Sequence, residues 1–430
     1  MNDQIFRSPD YSRSRWAYTL ECAFEYFVAL MVADAFLANL LSHMQIPDAV
    51  IGIISSLIAL AFLFQLAAIF VAQRITNVKK VAILIHCIGQ MFFLLLYLLP
   101  FLPIPTQLRT VAVIACVLFG YFGNYLVVSV IFKWGNSFVN PNRRANFAGT
   151  KEMISLLAGT VVSLGVGHAV DSFTEAGNVT GGFLFIACMM LVFNLGDFIC
   201  LMLMKNQTHE RVDRAQVTPF WQVVKQLLTN KSFVCVVILG TLIQASTYMT
   251  MGFMGVYKTK DLLLSVGAVQ LINIAGCLAR FLLTKPFAAY ADKRSYVKGI
   301  RLGMIIALIA FVINMFTTPH LWWLVIIFTL VINVSYAGTA QNMMNIVYSY
   351  VDSKYFVEAS AIKNSISGLC GFGASILGGL ILDAVQANGN QLFGMTMYGQ
   401  QLLSAISALI LIGAILFSKL VLEKKPIIAK

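Results

Sequence analysis

Apolar residues along this chain come in long blocks of roughly 20–30, not in the short alternations of a half-buried sheet, and a helix of that length crosses the ~30 Å hydrocarbon core of a bilayer. The first block runs from Trp16 to His43, and others follow at 48–73, 78–102, 108–134, 146–171 and 180–204. A polar stretch, Lys205 to Lys231, interrupts the series. Six more blocks lie at 232–256, 264–288, 297–317, 321–350, 359–384 and 396–419. The pattern predicts an all-α integral membrane protein of twelve transmembrane helices, called spans 1–12 in chain order. Its division is an N-terminal six-helix bundle over 1–204, a linker over 205–231 and a C-terminal six-helix bundle over 232–430. Inside the linker, Phe220, Val223, Val224, Leu227 and Leu228 recur at helical spacing around Lys225. That spacing predicts a short amphipathic helix on the inner membrane surface, tethering the halves.

One pattern is written twice. KEMISLLAGTVVSLGVGHAVD begins at Lys151 and KNSISGLCGFGASILGGLILD at Lys363. Lys151, Gly159, Ser163, Gly167 and Asp171 match Lys363, Gly371, Ser375, Gly379 and Asp383 at a single offset of 212 residues, as a duplicated unit would. Small residues four apart form a ridge that lets another helix approach closely. Plain packing would account for the Gly and Ser positions. The lysine at the same place in each copy favours two equivalent helices lining a contact that slides.

Composition agrees with the block pattern. Of 430 residues, 59% are hydrophobic and 11% charged, with a mean hydropathy of +0.82. A soluble chain has about 25% charged residues. The net charge of +12 is explained by where the charges fall and gives no reason to expect a nucleic-acid partner. With the N-terminus inside, inner segments collect Arg74, Lys79, Lys80, Arg143, Arg144, Lys205 to Lys231, Lys293 to Arg301, Lys354 and the basic tail. Outer segments keep only Arg109, Lys258 and Lys260. This bias places both termini in the cytoplasm of a multi-pass protein of the cell membrane. The eight cysteines form no CxxC pair and read as small buried hydrophobes. His168 and Asp171 make a lone pair without a third ligand, so no metal or other cofactor is expected. The first block is too long for a cleaved signal peptide. Asn178-Val179-Thr180 fits a glycosylation acceptor.

Twelve spans in two sets of six, joined by a basic inner loop, resemble the major facilitator superfamily of secondary transporters. Between spans 8 and 9 the chain reads KPFAAYADKRSYVKG, with Asp292 and Lys293 where that family has an acid–base turn, and Ala288 in place of its usual Gly. Between spans 2 and 3 the stretch IFVAQRITNVKK keeps Arg74 but has Gln73 where the acid belongs. The resemblance implies alternating access, with two bundles rocking about a midplane site. It also implies that spans 1, 4, 7 and 10 line the cavity while spans 2, 5, 8 and 11 form the contact between bundles. The duplicated rows fall on spans 5 and 11, so Gly159, Gly167, Gly371, Gly379, Lys151 and Lys363 join Asp292, Lys293 and Arg74 as gate or interface residues.

Charged and polar groups within spans need a cavity or a partner, since an ion at mid-membrane costs on the order of 2.5–3.5 kcal/mol on insertion scales. Span 1 carries Glu21 and Glu25 one turn apart, and Asp34 further out on the opposite face. Adjacent carboxylates oppose each other's ionisation, which suits a proton-coupled carrier. Pairing with Lys133 or Lys151 is the structural alternative. Span 8 presents Gln270, Asn273, Cys277 and Arg280 on one face, and the Arg280 guanidinium could grip a carboxylate or phosphate. An internal ion pair is its alternative, and Lys285 snorkels. Asn124 and Tyr125 on span 4, Gln244 and Tyr248 on span 7, and Asn333, Tyr336 and Gln341 on span 10 suit a hydroxylated solute. His86 on span 3 and Asp197 on span 6 read as structural.

These features point to a proton-coupled secondary transporter for a small hydrophilic substrate, sugar-like or an organic anion, acting as a monomer in the lipid bilayer. A proton-driven multidrug or amphiphile exporter of the same fold is the alternative. An enzyme is not expected, because no cluster has nucleophile or metal spacing.

Overall fold

Pro9 at the first helical position and Asp10 in the first turn start span 1, which runs Pro9–Met31 and resumes, bent by 43°, as Asp34–His43. The computed structural model describes residues 6, 8–74, 78–140, 144–206, 220–352, 355–392 and 395–426; the side chains of Arg74, Lys133, Asp292 and Gln341 lie outside the described set. At the bend, the Tyr97 hydroxyl donates 2.5 Å to the Met31 carbonyl, taking up an acceptor that the broken helix leaves unused. Asp34 sits at φ 44°, a left-handed conformation that a short polar side chain tolerates.

Span 2 is in pieces, Asp48–Ser55, Leu57–Ala61 and Phe64–Arg74. Ser55 and Ser56 each donate 2.9 Å to the carbonyl four residues back, the back-bonding that bends helices. Spans 3 to 6 are Val78–Leu98, Thr106–Asn136, Arg144–Glu175 and Val179–Leu203. Span 7 is Lys231–Thr250, prolonged by a tight turn, Met254–Val256 and a wide turn, Tyr257–Asp261. Spans 8 to 12 are Val266–Lys293, Tyr296–Asn314, Leu324–Tyr350, Phe356–Ala387 and Gly399–Leu420. Among the described residues, 11 helical stretches are long and apolar enough to cross a membrane, or 12 with the bent pair of span 1 counted as one. Strand is confined there to Gln391–Leu392 paired antiparallel with Met395–Thr396. The all-helical, multi-pass architecture expected from the sequence is therefore the one observed.

The chain falls into two compact units. One contains residues 1–44 and 67–216, the other 45–66 and 217–430. Residues 45–66 thus pack with the second half of the chain, against spans 7 and 11. Within the first unit, span 1 packs on spans 5 and 6, and span 3 on spans 4 and 6. Within the second, span 7 packs on spans 11 and 12, and span 9 on spans 10 and 12. The same four pairings recur six spans later, as duplication of a helical unit requires.

Spans 3 and 6 are polar inside and apolar outside. On span 3, Leu84, Ile88, Met91 and Leu95 are exposed, while His86, Gln90, Phe93 and Tyr97 on the other face are buried. On span 6, Leu191, Leu195 and Phe198 are exposed, while Asn194, Asp197 and Leu201 are buried. A helix that shows leucine outward and histidine inward is built for lipid.

The linker helix forms over Phe220–Thr229. Its Val223 and Leu227 are buried with Phe233, Val237, Val347, Val351 and Ile362 of the second unit, while Trp221 on the other face is 78% exposed. Two apolar residues four apart, one turn of helix, make that anchor.

Candidate functional site

In the first unit, polar groups from five spans meet in the interior. The spacings Tyr18, Glu21, Cys22, Glu25 on span 1, His86 and Gln90 on span 3, and Asn194 and Asp197 on span 6 each keep to one helix face. His86 Nε2 lies 2.8 Å from Asp197 Oδ2, and both side chains are 2% exposed. Glu21, itself buried, brings a carboxylate oxygen into the same cluster, with the donor atoms of Glu21, His86 and Asp197 all within 4.8 Å of one another. The Cys22 thiol donates to Glu21 Oε2 at 3.1 Å. Lys151 Nζ stands 3.1 Å from both Cys22 Sγ and the Tyr18 hydroxyl, and 4.3 Å from the centre of the Tyr18 ring. Glu25 is in electrostatic range of His86, Asp197 and Lys151. Beside the pair, Asn194 Nδ2 donates to the Gln90 carbonyl at 3.3 Å, and Gln90 Nε2 reaches Asn124 Oδ1 at 3.5 Å.

The sequence reading of span 1 is thus brought together for Glu21 and Glu25 with Lys151. Asp34 stands apart at the bend, nine residues or about 13 Å of helix beyond Glu25. His86 and Asp197, read from sequence as structural, sit at the centre of the cluster. The signal was present: each is a lone polar residue in the middle of an otherwise apolar span, and neither is stable there without the other.

The second unit carries cations inside. Lys363 is 5% exposed and donates to the Met343 carbonyl at 2.9 Å. Lys258 is 4% exposed and donates to Asn273 Oδ1 at 3.3 Å. Arg280 is in electrostatic range of Cys277 and Tyr336. Among the described residues, no carboxylate forms an ion pair with Arg280 or Lys363. Lys258 was assigned to an outer loop because the apolar block ends at 256; the helix runs on to Asp261 and carries it inside. Of the expected substrate-binding residues, Gln244 and Tyr248 line the same stretch of span 7 at Gly371. Asn333 donates to the Thr329 carbonyl at 2.8 Å and lies beside Gly276. Tyr125 lies 6.2 Å, ring to ring, from Tyr121 on span 4. Gln341 is outside the described side chains.

The duplicated rows occupy equivalent places. A Cβ on Gly159 would lie 2.5 Å from the Tyr26 ring of span 1, and one on Gly371 would lie 2.9 Å from the Tyr248 ring of span 7. The first glycine of each row therefore admits a tyrosine of its own unit, from span 1 in one case and from span 7 in the other. Gly379 meets Ile53 and Ala49 of span 2, and Gly167 is buried. Lys151 is partly buried and Lys363 buried. Lys293 ends span 8 and is exposed, while Arg74 and Asp292 fall outside the described side chains.

Two helical units that repeat each other's pairings, with ionisable groups held inside spans, define a membrane transporter of the major facilitator fold. A match to the MFS/sugar transport protein family extends over residues 83–422, and the chain belongs to that family. No curated protein matches it. Among solved structures, it is similar to a mutant form of the nucleoside transporter NupG, at 14% identity and TM-score 0.72, covering 95% of this chain and 99% of that one. It is also similar to a bacterial homolog of the human lysosomal transporter Spinster, solved inward-facing and unoccupied, at 13% identity and TM-score 0.69, covering 96% and 97%. A POT family transporter in complex with 5-aminolevulinic acid is similar at 12% identity and TM-score 0.67, covering 95% and 96%. At these identities the likeness is one of fold.

Proposed function

We propose that this transporter carries a small organic anion across the cell membrane by alternating access, coupled to protons, with both termini in the cytoplasm. The observation that supports this reading is the separation of charge held within spans. Glu21, Glu25 and Asp197 gather with His86 and Lys151 inside the first unit, while Arg280 and Lys363 in the second have no carboxylate partner among the described residues. A buried cation without a counter-ion, as Lys363 is, is expensive, and an anionic substrate would offset that cost in the loaded state. Arg280 suits a carboxylate because its planar fork donates two parallel hydrogen bonds. A carboxylic acid also occupies one of the structures of similar fold, the POT family transporter with 5-aminolevulinic acid. The acids of the first unit supply the proton-coupling half of the reading.

Binding tests the substrate class. Thermal unfolding of the purified chain, screened against neutral sugars, sugar acids and small organic acids, should reveal stabilisation by anions and none by neutral sugars. A ligand at 100 times its Kd adds roughly 2.7 kcal/mol to the folded state. Arg280→Ala should abolish that shift, and Arg280→Lys should weaken it, since charge is kept but the fork is lost. Stabilisation by neutral sugars that survives in Arg280→Ala would overturn the anion reading.

A further inference from the structure

His86 and Asp197 join span 3 to span 6, and the second unit contains the corresponding pair, spans 9 and 12. There the packing is done by Met304, Ala307 and Phe311 against Leu411 and Ala414, and the interior polar contact is neutral, Asn314 Nδ2 to Ser404 Oγ at 2.8 Å. Among the described residues, the ionisable groups that join this second pair lie at one end, where Lys298 and Arg301 of span 9 pair with Glu423 just past span 12; its interior holds without them, whereas His86 and Asp197 are buried inside the first.

Charge balance says what the buried pair does. Glu21, His86 and Asp197 lie within mutual reach, and beside them Glu25 and Lys151 bring the groups gathered here to three carboxylates and two bases, with Lys151 held on Tyr18 and Cys22. The other titratable groups in reach of these are Tyr18 and Cys22 of span 1, Cys87 of span 3 and Cys200 of span 6; on span 4, Tyr121 packs on Phe93 and Tyr125. With every acid and base ionised the cluster carries one net negative charge, and one proton on a carboxylate makes it neutral. A low-dielectric interior favours that neutral state. The place for the proton is visible in the geometry. Asp197 turns Oδ2 to His86, while its Oδ1 is buried and makes no hydrogen bond among the described atoms. The Glu21 carboxylate competes for the same imidazole from span 1.

We infer that Glu21, His86 and Asp197 form a proton-exchange site in which one proton passes between the span 1 and span 6 carboxylates with His86 as their shared counter-ion. In one state the imidazolium pairs with the Asp197 carboxylate and Glu21 holds the proton. In the other, the Glu21 O–H bond has broken, a new O–H bond has formed at Asp197 Oδ1, and the imidazolium pairs with the Glu21 carboxylate. Net charge is the same in both, so the exchange itself needs no ion to enter the hydrocarbon, and the shared proton leaves the site only when the solution turns alkaline. It does change which span His86 is bound to, span 6 or span 1, and so ties the position of the proton to a helix contact. This rests on the proton-coupled reading above and gives it a location.

Infrared difference spectroscopy of the full chain in nanodiscs, between mildly acidic and mildly alkaline buffer, tests the site without a known substrate. The wild type should show the carbonyl stretch of a protonated buried carboxyl, gained and lost with pH. Glu21→Gln and Asp197→Asn should each change the intensity by one carboxyl equivalent or shift the band, with thermal unfolding confirming that each variant folds. His86→Gln should change the band, and His86→Lys, which keeps a cation, should partly restore it. A wild-type spectrum without a pH-responsive buried carboxyl overturns the inference even if no variant can be purified. So does a band indifferent to substitution at both Glu21 and Asp197. Stoichiometric binding of zinc that erases the band and is lost in His86→Gln would also overturn it, making the cluster a metal site. Proton movement driven by substrate, with a band insensitive to these residues, would refute this site while leaving proton coupling itself standing.

Discussion

Gly159 and Gly371 lack side chains where a tyrosine ring needs the space. A Cβ at Gly159 would sit 2.5 Å from Tyr26, well inside van der Waals contact, whereas Gly165, six residues on, has nothing within 4 Å of its Cβ position. Gly159→Val should therefore destabilise the protein by about 1–3 kcal/mol, the usual range for overpacking, and Gly165→Ala should be neutral or slightly stabilising through helix propensity. Thermal unfolding of the two purified variants checks the contrast. At this scale the sequence was legible where residues repeat: the glycine row announced close approach in both halves, though not that the approaching group would be a tyrosine of the same unit. It was less legible for His86 and Asp197, because two residues 111 positions apart become one hydrogen-bonded pair only when spans 3 and 6 are known to touch. Lys258 was hidden for another reason. Hydropathy ends a span at its last apolar residue, but a helix can carry a lysine inward if an amide such as Asn273 awaits it.

Among the elements, helix lengths follow the apolar blocks to within a few residues, since a backbone in hydrocarbon has no alternative to the helix. Breaks were not legible in the same way. Span 1 bends at Val32–Ala33 and span 2 divides near Ser56, in stretches whose hydropathy does not change. Their causes are specific hydrogen bonds, from Tyr97 in one case and from consecutive serines in the other. The linker helix was legible by periodicity, and the structure adds its anchor, Val223 and Leu227 in the second unit. Its exposed face carries Lys225 and Gln226. With the proposed orientation, Gln226→Cys should react with a membrane-impermeant maleimide in inside-out vesicles and stay unlabelled in right-side-out ones, relative to the parent chain. Labelling from the outside would reverse the assigned topology.

Across the whole molecule, Glu21 and Asp197 are buried with His86 in the first unit, while the second holds Lys363 buried and Arg280 partly buried within spans. Duplication would account for the shared pairings of spans, and divergence for a buried His86–Asp197 pair inside the span 3–6 contact where the interior of the span 9–12 contact has Asn314 on Ser404. A first unit that holds a proton and a second that holds an anion would be a carrier in which the two loads are bound by different halves and moved together. The most direct test is proton movement in proteoliposomes loaded with a pH-sensitive dye and exposed to a panel of poorly permeant organic anions. The account predicts that at least one anion changes the lumenal pH, that protein-free liposomes do not respond, and that Arg280→Ala and Glu21→Gln each abolish the response. Anion uptake with no accompanying pH change, or an undiminished pH change in both variants, would contradict it.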